Sequence, residues 1–231
     1  MTPLILLPGM MCDARLFTPQ IDALSGKYPI LSAPIGGQDT MLALAADVLA
    51  YAPERFAMAG LSMGGIVAME ILRQAPDRVA GLALMDTNPL AELGEVKARR
   101  GPQIDAVERG NLRKVMAEEM KPNYLTDGPR RAAILDLCMD MAMDLGPDVF
   151  INQSKALRDR PEQSNTLQDF TGAALVLCGR DDALCPVSRH ELMHDLMPQS
   201  RLEIIENAGH LPTLEQPQQT TAALTRWLEM I

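Results

Sequence analysis

Short, predominantly apolar segments alternate with helical patterns along much of this chain. The segments that predict strands are 3–7, 29–33, 55–59, 79–85, 173–178 and 201–205. Helical patterns follow at about 40–51, 63–74, 187–197 and 213–230. Strands that are apolar on both faces need cover on both faces, which is typical of parallel sheets. The alternation therefore predicts an α/β fold, with a mostly parallel central sheet of about six strands flanked by helices.

One long stretch, 87–170, interrupts this alternation, because it contains helical patterns and turn signals but no convincing strand. A chain of 231 residues is long enough for one full core and short for two. We therefore predict a single domain, in which core segments 1–86 and 171–231 enclose a helical insertion. Ligands of open α/β sheets bind at the carboxyl ends of the strands, so we expect the insertion to form a lid over that edge.

Composition excludes some classes of binding partner and indicates the cellular compartment. A net charge of −9 and a pI of about 4.8 argue against nucleic acid, which requires a cationic surface. No apolar run approaches the ~18 residues of a membrane-spanning helix, and the N-terminal residues lack the basic start of a secretory signal. The four cysteines form no C-x-x-C pair and are expected to be reduced thiols. These features predict a cytoplasmic protein that binds neither nucleic acid nor membrane.

A serine lies in a glycine-rich turn directly after the third predicted strand. Residues 60–65 read GLSMGG, and the spacing G-x-S-x-G can hold a serine at the apex of a sharp turn between a strand and a helix. A serine hydroxyl is a weak nucleophile unless a neighbouring base takes its proton and an acid orients that base. Ser62 is therefore a candidate nucleophile, and its partners are expected at the same edge of the sheet.

A candidate base and a candidate acid follow two later strands. Among three histidines, His210 lies in NAGHLP, directly after the last predicted strand. Asp181 and Asp182 follow the fifth strand in GRDDALCP. The carboxyl ends of parallel strands share one edge of the sheet, so these side chains can approach Ser62. The residues alone leave open which aspartate is the acid.

Four motifs occur in the order found in α/β-hydrolases: PGMM at 8–11, GLSMGG at 60–65, GRDDALCP at 179–186 and GHLPTLEQP at 209–217. Over nearly its whole length the chain resembles lid-containing serine hydrolases of this superfamily, such as carboxylesterases, lactonases and thioesterases. The resemblance implies Asp182 as the acid and the backbone N–H groups of Met63 and Met10 as oxyanion donors. The chain departs from the family at Pro8, where a histidine is usual.

The resemblance implies a serine hydrolase that cleaves an ester, lactone or thioester of a small molecule through an acyl-enzyme, with no cofactor and no metal. Related dehalogenases and epoxide hydrolases use an aspartate nucleophile, and position 62 is serine. Arginines that are candidates to bind a substrate carboxylate are Arg99, Arg100, Arg130 and Arg131, although paired surface arginines are common. A non-catalytic binding protein on the same fold is an alternative, but such a protein would more typically have lost a member of the triad.

A second motif suggests different chemistry. Residues His190-Glu191-Leu192-Met193-His194 form the motif H-E-x-x-H, in which two histidines four positions apart share one helix face and can bind zinc. A zinc-dependent hydrolase is therefore the leading rival. A helical wheel centred on the apolar residues of this segment puts both histidines on the flank of the helix. We therefore expect them at the surface, away from the edge that carries Ser62.

Overall fold

The computed structural model describes all residues, 1–231. Its six strands form one sheet in which every neighbouring pair is parallel. They are β1 Leu4–Leu7, β2 Ile30–Ser32, β3 Phe56–Leu61, β4 Val79–Met85, β5 Ala173–Gly179 and β6 Arg201–Ile205. Their spatial order is β2-β1-β3-β4-β5-β6. The predicted α/β fold with a parallel central sheet is confirmed.

Ten α-helices accompany these strands. They are α1 Thr18–Leu24, α2 Met41–Tyr51, α3 Met63–Gln74, α4 Gly94–Glu108, α5 Leu112–Val115, α6 Arg131–Arg158, α7 Ser164–Gln168, α8 Val187–Leu196, α9 Pro212–Glu215 and α10 Pro217–Leu228. The single helix expected over 213–230 is divided at Gln216, whose φ of −131° is not helical. Pro217 follows it, and a proline disfavours the helical conformation of the residue before it. No helix is long and apolar enough to cross a membrane.

The sheet separates two apolar layers. Successive side chains of a strand point to opposite faces, so Ile5 and Leu7 of β1 join one layer while Leu4 and Leu6 join the other. One layer is packed with residues of α2, α3 and α8, and the other with residues of α1 and α10. Side chains on both faces of β1, β3, β4 and β5 are almost all buried, which explains why these strands read as apolar runs, whereas β2 and β6 at the edges are less buried.

The chain between β4 and β5 contains helices α4 to α7 and no strand. Its longest helix, α6, is interrupted at Gly146, which has a φ of +82° and precedes Pro147. Buried residues of α6 contribute to both apolar layers, among them Met139 in one and Met141 in the other. The insertion is therefore packed against the rest of the domain.

Candidate active site

The site begins at a strained turn between β3 and α3. Ser62 joins them with φ 55° and ψ −116°, a left-handed conformation that a residue other than glycine adopts only at a cost. A Cβ atom at Gly60 would collide with the backbone of Gly64, and one at Gly64 would collide with the backbone of Leu7. Glycine at both positions thus lets the turn close tightly enough to present the Ser62 hydroxyl at the carboxyl edge of the sheet.

Ser62, His210 and Asp182 form a continuous chain of hydrogen bonds. The Ser62 Oγ lies 2.9 Å from the Nε2 of His210, and the Nδ1 of His210 lies 2.8 Å from the Oδ2 of Asp182. His210 and Asp182 are each only 4% exposed. The other carboxylate oxygen, Asp182 Oδ1, accepts the N–H groups of Leu184 at 2.8 Å and Cys185 at 3.0 Å. Asp181 is exposed and has no such contact, so the structure brings Asp182 and not Asp181 to the histidine.

The loop that carries His210 is fixed from two directions. The backbone N–H of His210 donates to the carbonyl of Tyr124, in the insertion, at 2.7 Å. The Oε2 of Glu215 accepts the N–H groups of Gly209 at 2.9 Å and Leu211 at 3.2 Å, on either side of the histidine. The Oε1 of the same carboxylate accepts the N–H of Thr126 at 2.9 Å, again from the insertion. Glu215, the glutamate of GHLPTLEQP, thus ties the His210 loop to the insertion.

The charge of Asp182 is stabilised where it lies. Burial raises the pKa of this carboxyl, but the adjacent His210 and the N–H groups of Cys185 and Leu184 outweigh burial and lower the pKa on balance. Asp182 is therefore ionised at neutral pH. It can hold the imidazole in the tautomer that presents Nε2 to the serine.

Asp86 is a buried acid beside Asp182 that the sequence analysis did not identify. It follows β4, has a φ of +45° and is fully buried. Its Oδ1 accepts the N–H of Gly179 at 2.9 Å, whereas its Oδ2 is buried without a hydrogen-bond partner. Burial, with the charge of Asp182 next, raises the pKa of Asp86 well above its ordinary value and so favours the protonated acid. The sequence offers one indication of this residue, its position: Asp86 directly follows β4, as Asp182 follows β5.

The two predicted oxyanion donors flank Ser62. Met63 is the first residue of α3, where a backbone N–H lacks a partner within the helix. Met10 lies in the turn after β1, next to Gly9, whose added Cβ would be 3.6 Å from the Cβ of Ser62. The N–H of Met10 makes no hydrogen bond within the protein. Both donors are thus free for a ligand, and the turn persists with Pro8 in place of the usual histidine.

Gln153 of α6 holds the turn that contains Met10. Its Oε1 accepts the N–H of Met11 at 2.8 Å, and its Nε2 donates to the carbonyl of Ile35 at 3.0 Å. Gln153 is 1% exposed. Sequence reasoning missed this residue, because nothing local marks a glutamine 142 positions away as a partner of this turn.

A cavity of about 410 Å³ reaches Ser62 and His210. Its core side includes Met10 and Leu61, and its other side comes from the insertion, including Leu90, Tyr124 and Leu157. Roughly half of the lining residues are hydrophobic, 15 of 29. This size and lining suit a small molecule.

The prediction that His190 and His194 lie at the surface is wrong for His190. The buried face of this segment is formed by His190, Met193 and Met197, each 0% exposed. This face is rotated around the helix axis from the apolar centre that the helical wheel predicts. His190 Nε2 accepts the N–H of Thr87 at 3.1 Å, and the Thr87 hydroxyl donates to the carbonyl of Ser62 at 2.7 Å. The helical wheel fails here because it considers only apolar side chains. The buried imidazole of His190 is polar, and a hydrogen bond satisfies it.

Both histidines of the HELMH segment are engaged by the protein itself. The Nδ1 of His190 lies 3.3 Å from the Pro186 carbonyl, so both of its ring nitrogens have partners. Burial lowers the pKa of His190 to about 4, which keeps the ring neutral. The Nδ1 of His194 lies 2.7 Å from the Ser200 hydroxyl. A metal bound to His190 would have to break one of these contacts.

Asp182, Cys185 and His210 are the three side chains whose possible ligand atoms lie within 4.8 Å of one another. Two of them already bond to each other. Burial and the charge of Asp182 raise the pKa of Cys185 well above its ordinary value, which disfavours the thiolate that metals bind. The donor set therefore fits a proton relay better than a metal.

Comparisons with known proteins bear on the family of this chain. A family model described as the alpha/beta hydrolase family matches residues 4–224. A pimeloyl-[acyl-carrier protein] methyl ester esterase of Aliivibrio salmonicida is 26% identical, over 98% of this chain and 92% of its own length. Among solved structures, a thermophilic esterase from Thermogutta terrifontis, with malate bound, has a TM-score of 0.90 and 29% identity, covering 99% of this chain and 90% of that one.

A more distant structure, the enol-lactonase from Burkholderia xenovorans, has a TM-score of 0.87 and 20% identity, covering 99% of this chain and 92% of that one. At that identity the likeness concerns the fold. The family match, by contrast, covers nearly the whole sheet and all four motifs. The chain belongs to the alpha/beta hydrolase family, and it is an enzyme of the hydrolase class.

Proposed function

We propose that this protein is a serine esterase that cleaves carboxylic esters of small molecules, with lactones and thioesters as related substrates. The observation that carries the proposal is the hydrogen-bonded sequence Ser62 Oγ, His210 Nε2, His210 Nδ1 and Asp182 Oδ2, with distances of 2.9 and 2.8 Å. Ser62 and His210 line a cavity of about 410 Å³. Esterases among the relatives support the same reaction class.

In the proposed reaction, His210 Nε2 takes the proton of Ser62 as its Oγ attacks the substrate carbonyl carbon. The carbonyl oxygen becomes an oxyanion, which accepts hydrogen bonds from the N–H groups of Met63 and Met10. The intermediate collapses, the alcohol leaves with the proton from His210, and the acyl group stays on Ser62. A water molecule, deprotonated by His210, then releases the acid and restores the serine.

The insertion supports this function as a lid over the carboxyl edge of the sheet. We propose 87–170 as that lid, because the cavity walls on that side come from it. It also carries Tyr124, whose carbonyl accepts the His210 N–H. Closing an active site in this way limits water around the acyl-enzyme and strengthens the electrostatics of the oxyanion donors.

The proposal is tested with p-nitrophenyl esters from acetate to octanoate, and with a serine-reactive fluorophosphonate. We expect turnover that depends on chain length, and labelling of the wild-type protein that Ser62→Ala abolishes. Ser62→Ala should remain folded and lose on the order of 10⁴-fold in kcat. Near-normal activity of that variant would refute the serine mechanism and favour the zinc alternative. A protein that binds esters without turnover would indicate a non-catalytic binding protein.

A further inference from the structure

Three charged side chains form a buried cluster in the wall of the cavity: Arg100, Glu92 and Arg160. The Nη2 of Arg100 lies 3.0 Å from one oxygen of Glu92, and the Nη2 of Arg160 lies 3.1 Å from the other. The three side chains are only 10%, 7% and 7% exposed. One carboxylate between two guanidinium groups leaves a net charge of +1 in a chain whose total is −9.

The cluster leaves donor capacity unused. The Nε of Arg100 is buried without a hydrogen-bond partner, and its Nη1 contacts only the Sδ of Met10, at 3.5 Å, which is a weak acceptor. Arg160 is better satisfied, because its Nε donates to the Leu90 carbonyl at 3.0 Å. A buried guanidinium that is only partly paired is costly, and an anion beside it would offset that cost.

The cluster lies close to the reacting atoms. Met10 spans the gap, with its backbone N–H among the proposed oxyanion donors and its sulfur against Arg100. The length of one methionine side chain plus this contact puts the guanidinium within about 9 Å of the Met10 nitrogen. Both arginines line the same cavity as Ser62 and His210.

We propose that the cavity selects esters whose acyl part ends in a second, free carboxylate, which Arg100 and Arg160 bind. This inference rests on the proposed esterase function and adds its substrate class. A carboxylate a few bonds from the scissile carbonyl spans the separation between the oxyanion donors and the cluster. Guanidinium groups favour carboxylates because their N–H donors match the two oxygens. Glu92 holds both guanidinium groups in place when no substrate is bound.

A purely structural role is the competing explanation. All three residues belong to the chain between β4 and β5, so the cluster also braces the insertion. Bracing predicts that removing an arginine lowers stability and leaves the preference among substrates unchanged. Carboxylate binding predicts that the preference itself changes.

The test compares monomethyl adipate with its neutral counterpart of equal length, methyl adipamate, by measuring acid release at constant pH. For the wild type we expect kcat/KM to be roughly 10- to 100-fold higher for the acid, as charge-assisted hydrogen bonds imply. Free adipate should inhibit p-nitrophenyl acetate hydrolysis competitively, and adipamide should not. Equal rates for the two methyl esters, without inhibition by adipate, would overturn the inference.

Variants then assign the preference to the cluster. Arg100→Gln and Arg160→Gln should lose most of the preference for the acid, while Glu92→Gln should increase it. Arg201→Gln, an exposed arginine at the start of β6, is the matched control and should keep the wild-type preference. Unfolding temperatures identify a variant that fails to fold. In that case, inhibition of the wild type by adipate decides whether the cavity binds a carboxylate.

If p-nitrophenyl acetate is not cleaved at all, the esterase proposal itself fails. If it is cleaved and the acid is not preferred, only the carboxylate inference fails.

Discussion

Gln153→Met tests whether the insertion sets the geometry of an oxyanion donor. Methionine has a volume similar to that of glutamine, so the substitution removes hydrogen bonds without opening a large cavity. The Met11 N–H loses its acceptor at 2.8 Å and the Ile35 carbonyl loses its donor at 3.0 Å, both within a buried contact. Each unsatisfied buried group costs about 1–3 kcal/mol, so for the two groups we expect the free energy of unfolding to fall by roughly 2–6 kcal/mol.

The effect on catalysis follows from the position of Met10, next to the residue released. Met11 has a φ of +55°, a strained conformation that the bond to Gln153 helps to hold. If the turn relaxes, the Met10 N–H moves away from the developing oxyanion. Loss of one such donor reduces kcat by about 10²- to 10³-fold, and a displaced donor should cost up to about 100-fold, with little change in KM.

The assays are steady-state kinetics with p-nitrophenyl acetate and unfolding by urea. Asn152→Leu is the matched control. The side-chain amide of Asn152, next to Gln153 in the chain, donates to the Gly36 carbonyl at 3.2 Å and makes no hydrogen bond to the turn. The control should lose about 1 kcal/mol of stability and keep its kcat. If Gln153→Met unfolds more easily than the wild type but retains wild-type kcat, the argument that Gln153 positions the oxyanion turn is refuted.

Three further predictions concern the other acids and the histidines of α8. Asp182→Asn should reduce kcat by about 10⁴-fold and Asp181→Asn by little, since only Asp182 contacts the imidazole; equal losses in the same esterase assay would contradict this. Exhaustive chelation should leave turnover unchanged, because His190 and His194 are engaged by the protein; stoichiometric zinc whose removal abolishes activity would reverse that view. Asp86→Asn should be more stable than the wild type by an amount that grows with pH. Because the pKa of Asp86 is raised on folding, its contribution is complete below its unfolded pKa and declines, by up to about 1.4 kcal/mol per pH unit, until the pH passes its folded pKa. Urea unfolding at increasing pH should therefore show the two proteins diverging through that window.

The sequence predicts this fold well because the strongest signals are local. Val79–Met85 coincides with its predicted strand, since a continuous apolar run bounded by turns leaves little alternative. Arg201–Ile205 also coincides with its predicted strand, although it contains an arginine and a glutamate. Ser62, Asp182 and His210 were found because each follows a strand, and parallel topology brings strand ends together. The catalytic roles of these residues, of Met63 and Met10, and the lid role of the insertion remain predictions.

Residues that depend on long-range contacts escaped the sequence analysis. Asp86 looks like any acid at the end of a strand, and only its burial beside Asp182 distinguishes it. The prediction for His190 is wrong because a helical wheel infers burial from apolar side chains alone. This polar ring is buried, and it accepts a hydrogen bond from the Thr87 N–H. Such partners are fixed by how helices of the insertion and of α8 settle on the sheet, which no short pattern encodes.

The site is consequently a joint product of the core and the insertion. The core supplies the three side chains that form the hydrogen-bonded chain, and its strand order brings them together. The insertion supplies contacts that fix the His210 loop and the turn of Met10: the Tyr124 carbonyl accepts from His210, the Thr126 N–H donates to Glu215, and Gln153 accepts from Met11. Because these contacts are buried or partly buried, moving the insertion would disturb both the His210 loop and the turn that contains Met10. Variation within it therefore alters the catalytic geometry as well as the shape of the cavity.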